Sequence, residues 1–480
     1  MPVALVALPI LLGLLTLFIR GEAKRRLRRF FLVVGAVFHF GGVISLHLRS
    51  TENLLQGFIQ IDALGLLFLT IISLLFFLVA IYSLGYFQHE REKYTEEGVS
   101  HLYVPCMLFF LAAMTLATLA SQVGVLWIAI EGTTIASAPL IYYHRHHQAL
   151  EAAWKYLLMC SVGIAIALLG IFFVIASGKG SVTDLSFSTF IANAASLDHR
   201  WLRIGFILIL VGFGTKMGLA PLHNWLPDAH SEAPSQVSAL LSGALLNCAF
   251  LGILRFYQVL MAAGLSDFAQ KLLVCFGLIS LFVAAVFITG QRDYKRMLAY
   301  SSVEHMGIMA LGVGWGVQFG TLLHVINHSL TKGLLFLTAG QILIAYRTKN
   351  AFEVRGLLKT VPESGWLFLI GGLAIAGSPP FSPFISEFLI LRGGLNQGYW
   401  LSSFFYLLFL GIIFVSMSRI VLRMVQGERQ QLSFRHESSS RLIFFPPILL
   451  ALLVLVFGLY LPAPMISFLQ AAAHLIGGGL

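Results

Sequence analysis

An all-α, multi-pass membrane protein of about fourteen transmembrane helices is the fold class that the sequence predicts. Three observations carry it. The chain is 58% hydrophobic over 480 residues. Charged residues make up 11% of it, where a soluble globular chain carries about 25%. Its apolar residues fall in long continuous runs of the ~20 residues that a bilayer core requires, whereas a β-barrel shows short alternating strands. A soluble enzyme, a disordered chain and a disulfide-stapled secreted domain are excluded.

The runs follow in order. The first, 2–20, has its basic cluster after it instead of before it, which is not the order of a cleavable signal peptide. The next, 29–48, starts on that cluster, and 62–87 and 104–121 are apolar throughout. The run 122–143 holds Glu131, and 152–176 follows. A longer polar segment, 178–200, separates it from 201–222, which carries Lys216 and Pro221. Asn247 lies within 234–258. After 268–290 come 295–315 with His305 and 319–346 with His324, His328 and Lys332. The segment Arg347–Lys359 is short, basic and mildly amphipathic, and is expected along the inner surface. Pro379, Pro380 and Pro383 interrupt 364–390, which also holds Glu387; 400–423 and 443–461 complete the set.

With the N-terminus outside, the inner loops hold 21 Lys and Arg and the outer segments seven. This asymmetry predicts both termini outside. The net charge of +10 therefore belongs to orientation, and no nucleic-acid partner is expected. The four cysteines, Cys106, Cys160, Cys248 and Cys275, sit apart in apolar runs. Zinc and iron–sulfur sites need closely spaced thiolates or histidines, so no metal, redox centre or other cofactor is expected.

The residues that carry chemistry are those in the wrong solvent. A charge at mid-membrane costs at least ~2.5–3.5 kcal/mol and marks a functional candidate. Glu131, in VLWIAIEGTTIASAPLI, is too short to reach water. Lys216 lies deep in its span, five residues before Pro221 and among Gly212, Gly214 and Gly218. A broken helix beside a buried lysine is a transporter pattern, in which freed backbone groups line a hydrated cavity. His324, His328 and Lys332 step by four and share one helical stripe, a candidate proton wire. His305, beside Glu304, starts only a few residues past a basic loop, so an interfacial position competes with a buried one. Glu387 lies near the outer end of its proline-broken span, where exit to water competes with burial. Asp228, His230 and Glu232 are placed at an inner water boundary, as a proton uptake point or a solvated loop. Asn247 either joins two hydrated patches or bonds across helices.

Together WIAIEGTTIASAPLI, GTKMGLAPLHNWLPDAHSEAPSQVSALLSG, YSSVEHMGIM, NHSLTKGLLFLTAG and GSPPFSPFISEFLIL resemble the antiporter-like membrane subunits of respiratory complex I, in order over roughly 100–390. That family includes subunits of membrane-bound [NiFe] hydrogenases and Mrp-type cation/proton antiporters. ALEAAWKYLLMCSVGIAIALLG, YSSVEHMG and LLSGALLN look closest to its hydrogenase-4 component F branch. The resemblance implies two inverted five-helix repeats and discontinuous seventh and twelfth helices. It implies that Glu131 pairs with Lys216 as a charge switch, that Lys332 is the central lysine of the second half, and that Glu387 is the outlet. One departure stands out: Asn247 occupies the place of a lysine on the eighth helix of many members. The link between half-channels then runs through water, His305, Lys332 or other groups.

The expected organisation is 1–103 for the first three helices, 104–258 and 268–424 for the two repeats, and 443–480 for a C-terminal helix. The expected function is proton translocation within a redox-driven complex, by a subunit without a redox site of its own. Its expected partners are other membrane subunits, a peripheral redox arm and the lipid of a prokaryotic inner membrane. A Na⁺/H⁺ antiporter subunit and a non-pumping docking subunit are the competing classes.

Overall fold

The structure, a computed structural model, describes residues 1–480 apart from 20, 22–23, 49–52, 55–56, 90–96, 181–183, 429–440 and 479–480. Of the residues that set the expected orientation, Arg20, Arg49, Arg91, Lys93, Arg429 and Arg435 lie outside the described residues. The helices are α1 (Pro2–Phe18), α2 (Arg25–Leu46), α3 (Ala63–His89), α4 (Glu97–Leu119), α5 (Val123–Ile141), α6 (His147–Ser177) and α7 (Phe187–Ala192). Next come α8 (His199–Met217), α9 (Trp225–Glu232), α10 (Ser235–Leu240), α11 (Leu246–Ala262), α12 (Ser266–Ile288) and α13 (Tyr294–Gly314). They continue with α14 (Gln318–Tyr346), α15 (Leu357–Thr360), α16 (Pro362–Ile375), α17 (Ser382–Asn396), α18 (Trp400–Val425), α19 (Phe445–Leu459) and α20 (Ala463–His474).

Among the described residues, ten helices are long and apolar enough to cross a membrane, with α10 and α11 joined through a π turn at Leu241–Leu245 and counted once. Adding α1, α13 and the interrupted pairs α8–α9 and α16–α17 gives the fourteen spans in the expected order. The joined α10–α11 span is wholly buried, and α14 nearly so. They pack together at the centre, so polar groups on them meet protein and not lipid.

Small residues bring the flanking helices close. A Cβ on Gly212 of α8 would stand 2.4 Å from the Gly163 carbonyl of α6. One on Gly170 would stand 2.7 Å from the Gly205 carbonyl. This is small-residue packing of membrane helices, in which backbones touch, and it carries Tyr156 of α6 up to Lys216 of α8.

Both expected interruptions are present, and side chains meet backbone groups at each, as a low-dielectric interior demands. The first runs from Gly218, in the left-handed region at φ +84, to Asn224. There the Trp225 indole donates to the Thr215 carbonyl at 2.8 Å, and the Ala220 amide donates to Ser280 Oγ at 3.0 Å. The second runs from Ala376 to Phe381. His305 Nε2 lies 3.2 Å from the Ile375 carbonyl, and Asn327 Nδ2 donates to the Ser382 carbonyl at 2.7 Å.

One expectation is corrected. The C-terminal segment is two helices: α19 ends at Leu459 and α20 begins after Pro462, because the residue before a proline is pushed into extended backbone and Leu461 precedes one. The segment Arg347–Lys359 is mostly turn, pinned by a bridge between Asp293 and Asn350, with only the four-residue α15 at its end. At one end of the bundle Lys155 and Arg296 both pair with Asp228, and Lys349 pairs with Glu232. On the opposite face Arg255 grips Asp62 through two hydrogen bonds of 2.5 and 2.8 Å, and Lys179 meets Asp198 at 2.8 Å. That hydrogen bond holds the Asp198 carboxyl below its ordinary range.

Candidate functional site

In the first half, α5 presents Glu131, α6 presents Tyr156 and Ser161, and α8 presents Lys216 just before its break. Lys216 is fully buried. Its Nζ donates to Thr134 Oγ1 at 2.8 Å and to the Tyr156 hydroxyl at 2.6 Å. Thr134 in turn donates to Glu131 Oε2 at 3.2 Å, and Ser161 donates to the other carboxylate oxygen at 2.9 Å. The expected Glu131–Lys216 pair is therefore bridged, not direct. A hydroxyl accepts and donates at once, so Thr134 relays between the two charges. Thr134 sits three residues after Glu131, a spacing that puts both on one face of α5. Tyr156 also donates toward or accepts from Ser137 at 2.6 Å.

In the second half the stripe of α14 does not act alone. His305 of α13 lies within it: its Nδ1 is 2.9 Å from His324 Nε2, and its ring centroid is 5.1 Å from that of His328. His305 is fully buried within the bundle. Its Nε2 faces the Ile375 carbonyl, an acceptor only, so Nε2 carries the proton and Nδ1 is bare when the ring is neutral. His324 Nε2–H then donates to it. His324 Nδ1 lies 2.9 Å from Ser386 Oγ, and Glu387 Oε1 lies 4.0 Å from His305 Nδ1. Lys332 points away from the histidines along α13, donating to the Leu298 carbonyl at 2.6 Å and to Ser301 Oγ. The wire expected on one helix is thus a zigzag between α13, α14 and α17. Facing atoms of His305, His324 and Glu387 lie within 4.8 Å of one another, close enough to share a cation. The same spacing serves a proton relay, and the hydrogen bond between the imidazoles already uses both facing nitrogens.

Glu387 is buried, its carboxylate lying over Gly377. A Cβ on Gly377 would stand 2.2 Å from Glu387 Oε2, and its φ is +71. Gly377→Ala therefore costs about 1–2 kcal/mol of backbone strain and displaces the carboxylate. Proton translocation by the assembled complex is expected to fall severalfold, measured by dye acidification in liposomes, while Gly398→Ala, at a φ of +81 with open space around it, leaves it intact.

The inner-boundary trio separates. Asp228 bridges Lys155 at 2.5 Å and Arg296 at 2.8 Å, and Glu232 meets Lys349 at 2.8 Å. His230 is not at the boundary: it is wholly buried, its ring stacked 4.9 Å from Phe336. Phe336 is one turn past Lys332, and His230 interacts electrostatically with both Lys332 and Lys295. Neither ring nitrogen has a hydrogen-bond partner among the described residues. The reason is the break itself, which folds the polar LPDAHSEAPS stretch back into the bundle as α9. Lys295, also buried, donates to the Ala233 carbonyl at 2.6 Å and holds that turn in place. Asn247 donates to Ser329 Oγ at 2.7 Å and to the Gly243 carbonyl, so it bonds α11 to α14 across the π turn. It ties the halves together without a titratable group.

The sequence profile described as NADH:quinone oxidoreductase/Mrp antiporter, transmembrane, matches residues 120–415. The chain belongs to this family. A hydrogenase-4 component F homolog of Methylacidiphilum infernorum (isolate V4) is 37% identical over 90% of this chain and 91% of that one. A chain of the Mrp complex from Dietzia sp. DQ12-45-1b superposes with a TM-score of 0.87 at 18% identity, covering 99% of this chain and 97% of that one. A chain of respiratory complex I from Thermus thermophilus with bound NADH gives 0.81 at 25% identity over the whole of both. Both interrupted spans lie within the matched residues, each beside a polar cluster. Sequence reasoning found the charges of this family member and missed Tyr156, Ser161, Ser301, Ser386 and Glu304. The signal for Ser301 and Ser386 was their place a turn or less from His305 and Glu387.

Proposed function

We propose that the chain is the proton-translocating subunit of a redox-driven membrane complex of the hydrogenase-4 and complex I kind, without a redox centre of its own. One observation carries this reading: a row of buried titratable groups runs from the ion pairs of one face toward Glu387. It passes through His230, Lys332, His328, His305 and His324. The gap from Lys332 to the imidazoles is bridged by water. Moving one proton against ~150 mV costs about 3.5 kcal/mol. A buried lysine shifted by two or three pH units accounts for about that much, so opening and closing of the Glu131–Thr134–Lys216 bridge is an adequate switch.

Partners follow from the same residues. Glu131 is partly exposed, between Ile128 at 60% and Ile135 at 64% exposure on α5. A carboxylate left against lipid is costly, so a neighbouring membrane subunit covers this face, and a peripheral redox arm drives the assembly. The halves 104–258 and 268–424 act as the two repeats, in a prokaryotic inner membrane with both termini outside. A Na⁺ antiporter would need a cage of oxygens, and the facing imidazole nitrogens suit protons instead.

Redox turnover of the purified complex in sodium-free liposomes is expected to build a proton gradient that a protonophore collapses. A sodium requirement would favour the antiporter, and turnover without a gradient a passive docking subunit. For orientation, a cysteine at Gln148 is expected to react with an impermeant maleimide only from the cytoplasmic side, and one at Ser196 only from outside. The reverse pattern would invert the topology.

A further inference from the structure

Glu304 is 2% exposed, and its Oε2 has no hydrogen-bond partner among the described residues. A carboxylate buried for structure alone is tied down by donors; this oxygen is not. It stands on α13 one turn beyond Ser301, which with the Leu298 carbonyl holds the Lys332 ammonium. One turn of three residues is a rise of ~4.5 Å, within the swing of a flexible lysine stem. Lys332 itself meets only a carbonyl and a hydroxyl, and no carboxylate lies at ion-pair distance from it among the described residues. Lys216 is held in the same way, by two hydroxyls, with Glu131 one hydroxyl further on.

Resting on the reading above, we infer that Glu304 is the carboxylate partner of Lys332, doing in the second half what Glu131 does in the first. Its surroundings fit the role. Lys332 interacts with it electrostatically from α14, Glu387 from α17 and Tyr406 from α18, and His305 is its neighbour on α13. The Tyr406 hydroxyl donates to the Glu387 carbonyl at 3.3 Å, which brings α18 against the same cluster. When Lys332 swings to Glu304 its proton is held; when it returns to Ser301 the proton passes by water and imidazole toward Glu387. Glu304 acts through Lys332 and is a positioning residue.

The test uses the whole complex in liposomes, counting protons moved per electron. An opposite charge nearby is worth about one to three pH units, so Glu304→Gln is expected to lower this chain's share of the count about tenfold or more, with redox turnover retained. Glu304→Asp keeps the charge and is expected to restore at least half. A turnover-induced infrared band from a buried carboxyl is expected in the parent and lost in Glu304→Gln. A Glu304→Gln complex that pumps as the parent does, while Lys332→Arg does not, overturns the pairing and leaves the proton reading standing; pumping by both variants overturns the pairing and the titrating role of Lys332, and a parent complex that turns over without a gradient overturns the proton reading itself. If Glu304→Gln does not assemble, the double change with Lys332→Gln decides. Assembly recovered in the double shows the coupling, and equal failure of single and double overturns it.

Discussion

Lys332→Arg is expected to stop proton translocation as completely as Lys332→Ala. The guanidinium keeps the positive charge, but its pKa above about 12 means that it releases no proton. A fixed charge also stands permanently between His230 and the His305–His324–His328 cluster, where Lys332 lies fully buried. The loss expected in the protons that this chain contributes per electron is about a hundredfold, of the order that removing a positioned acid or base costs. Lys332→His restores a group that titrates near neutrality and is expected to keep part of the activity. Both variants are expected to assemble, since each retains donors for the Leu298 carbonyl and Ser301 Oγ. Full pumping by the arginine variant would make Lys332 a fixed charge, and the pathway would have to pass around it.

The second large effect is expected where sequence and structure differ, at the bridge between Glu131 and Lys216. Thr134→Val has nearly the shape of threonine but lacks the hydroxyl through which the two charges communicate. Hydrogen bonds to charged groups are worth about 1.5–3 kcal/mol, so its loss is expected to slow pumping about tenfold or more. Thr134→Ser keeps the hydroxyl and is expected to stay near the parent. Glu131→Gln removes the acceptor charge and is expected to abolish pumping while folding survives, because losing a mid-membrane charge relieves desolvation. A valine variant as active as the parent would mean that Glu131 and Lys216 meet directly during turnover or do not communicate at all.

The fold was legible because the membrane simplifies the code: each span must be long and apolar, and the prolines at Pro221 and at Pro379 and Pro380, each close to glycine, mark where a helix opens. The charges were legible for the same reason, since Lys216, Lys332 and Glu131 have no cheap place in lipid. What stayed hidden depends on which helix faces which. Tyr156 joins Lys216 only because glycines let α6 and α8 touch. His305 enters the stripe of α14 from another helix. The depth of His230 was misjudged because LPDAHSEAPS reads as a polar loop, whereas the break at Gly218–Asn224 turns it back into the core. Glu304 went unassigned because its neighbour His305 starts close to a basic loop, and nothing in a linear reading distinguishes a carboxylate at the interface from one that is 2% exposed.

The most direct measurement is the number of protons moved per electron by the purified complex in sealed, sodium-free liposomes, with Lys216→Met in this chain compared with the parent. Redox turnover is expected to continue in the variant, measured with the membrane uncoupled, while the protons moved per electron fall by the share this chain carries. An unchanged proton count at unchanged turnover would contradict proton translocation through this subunit.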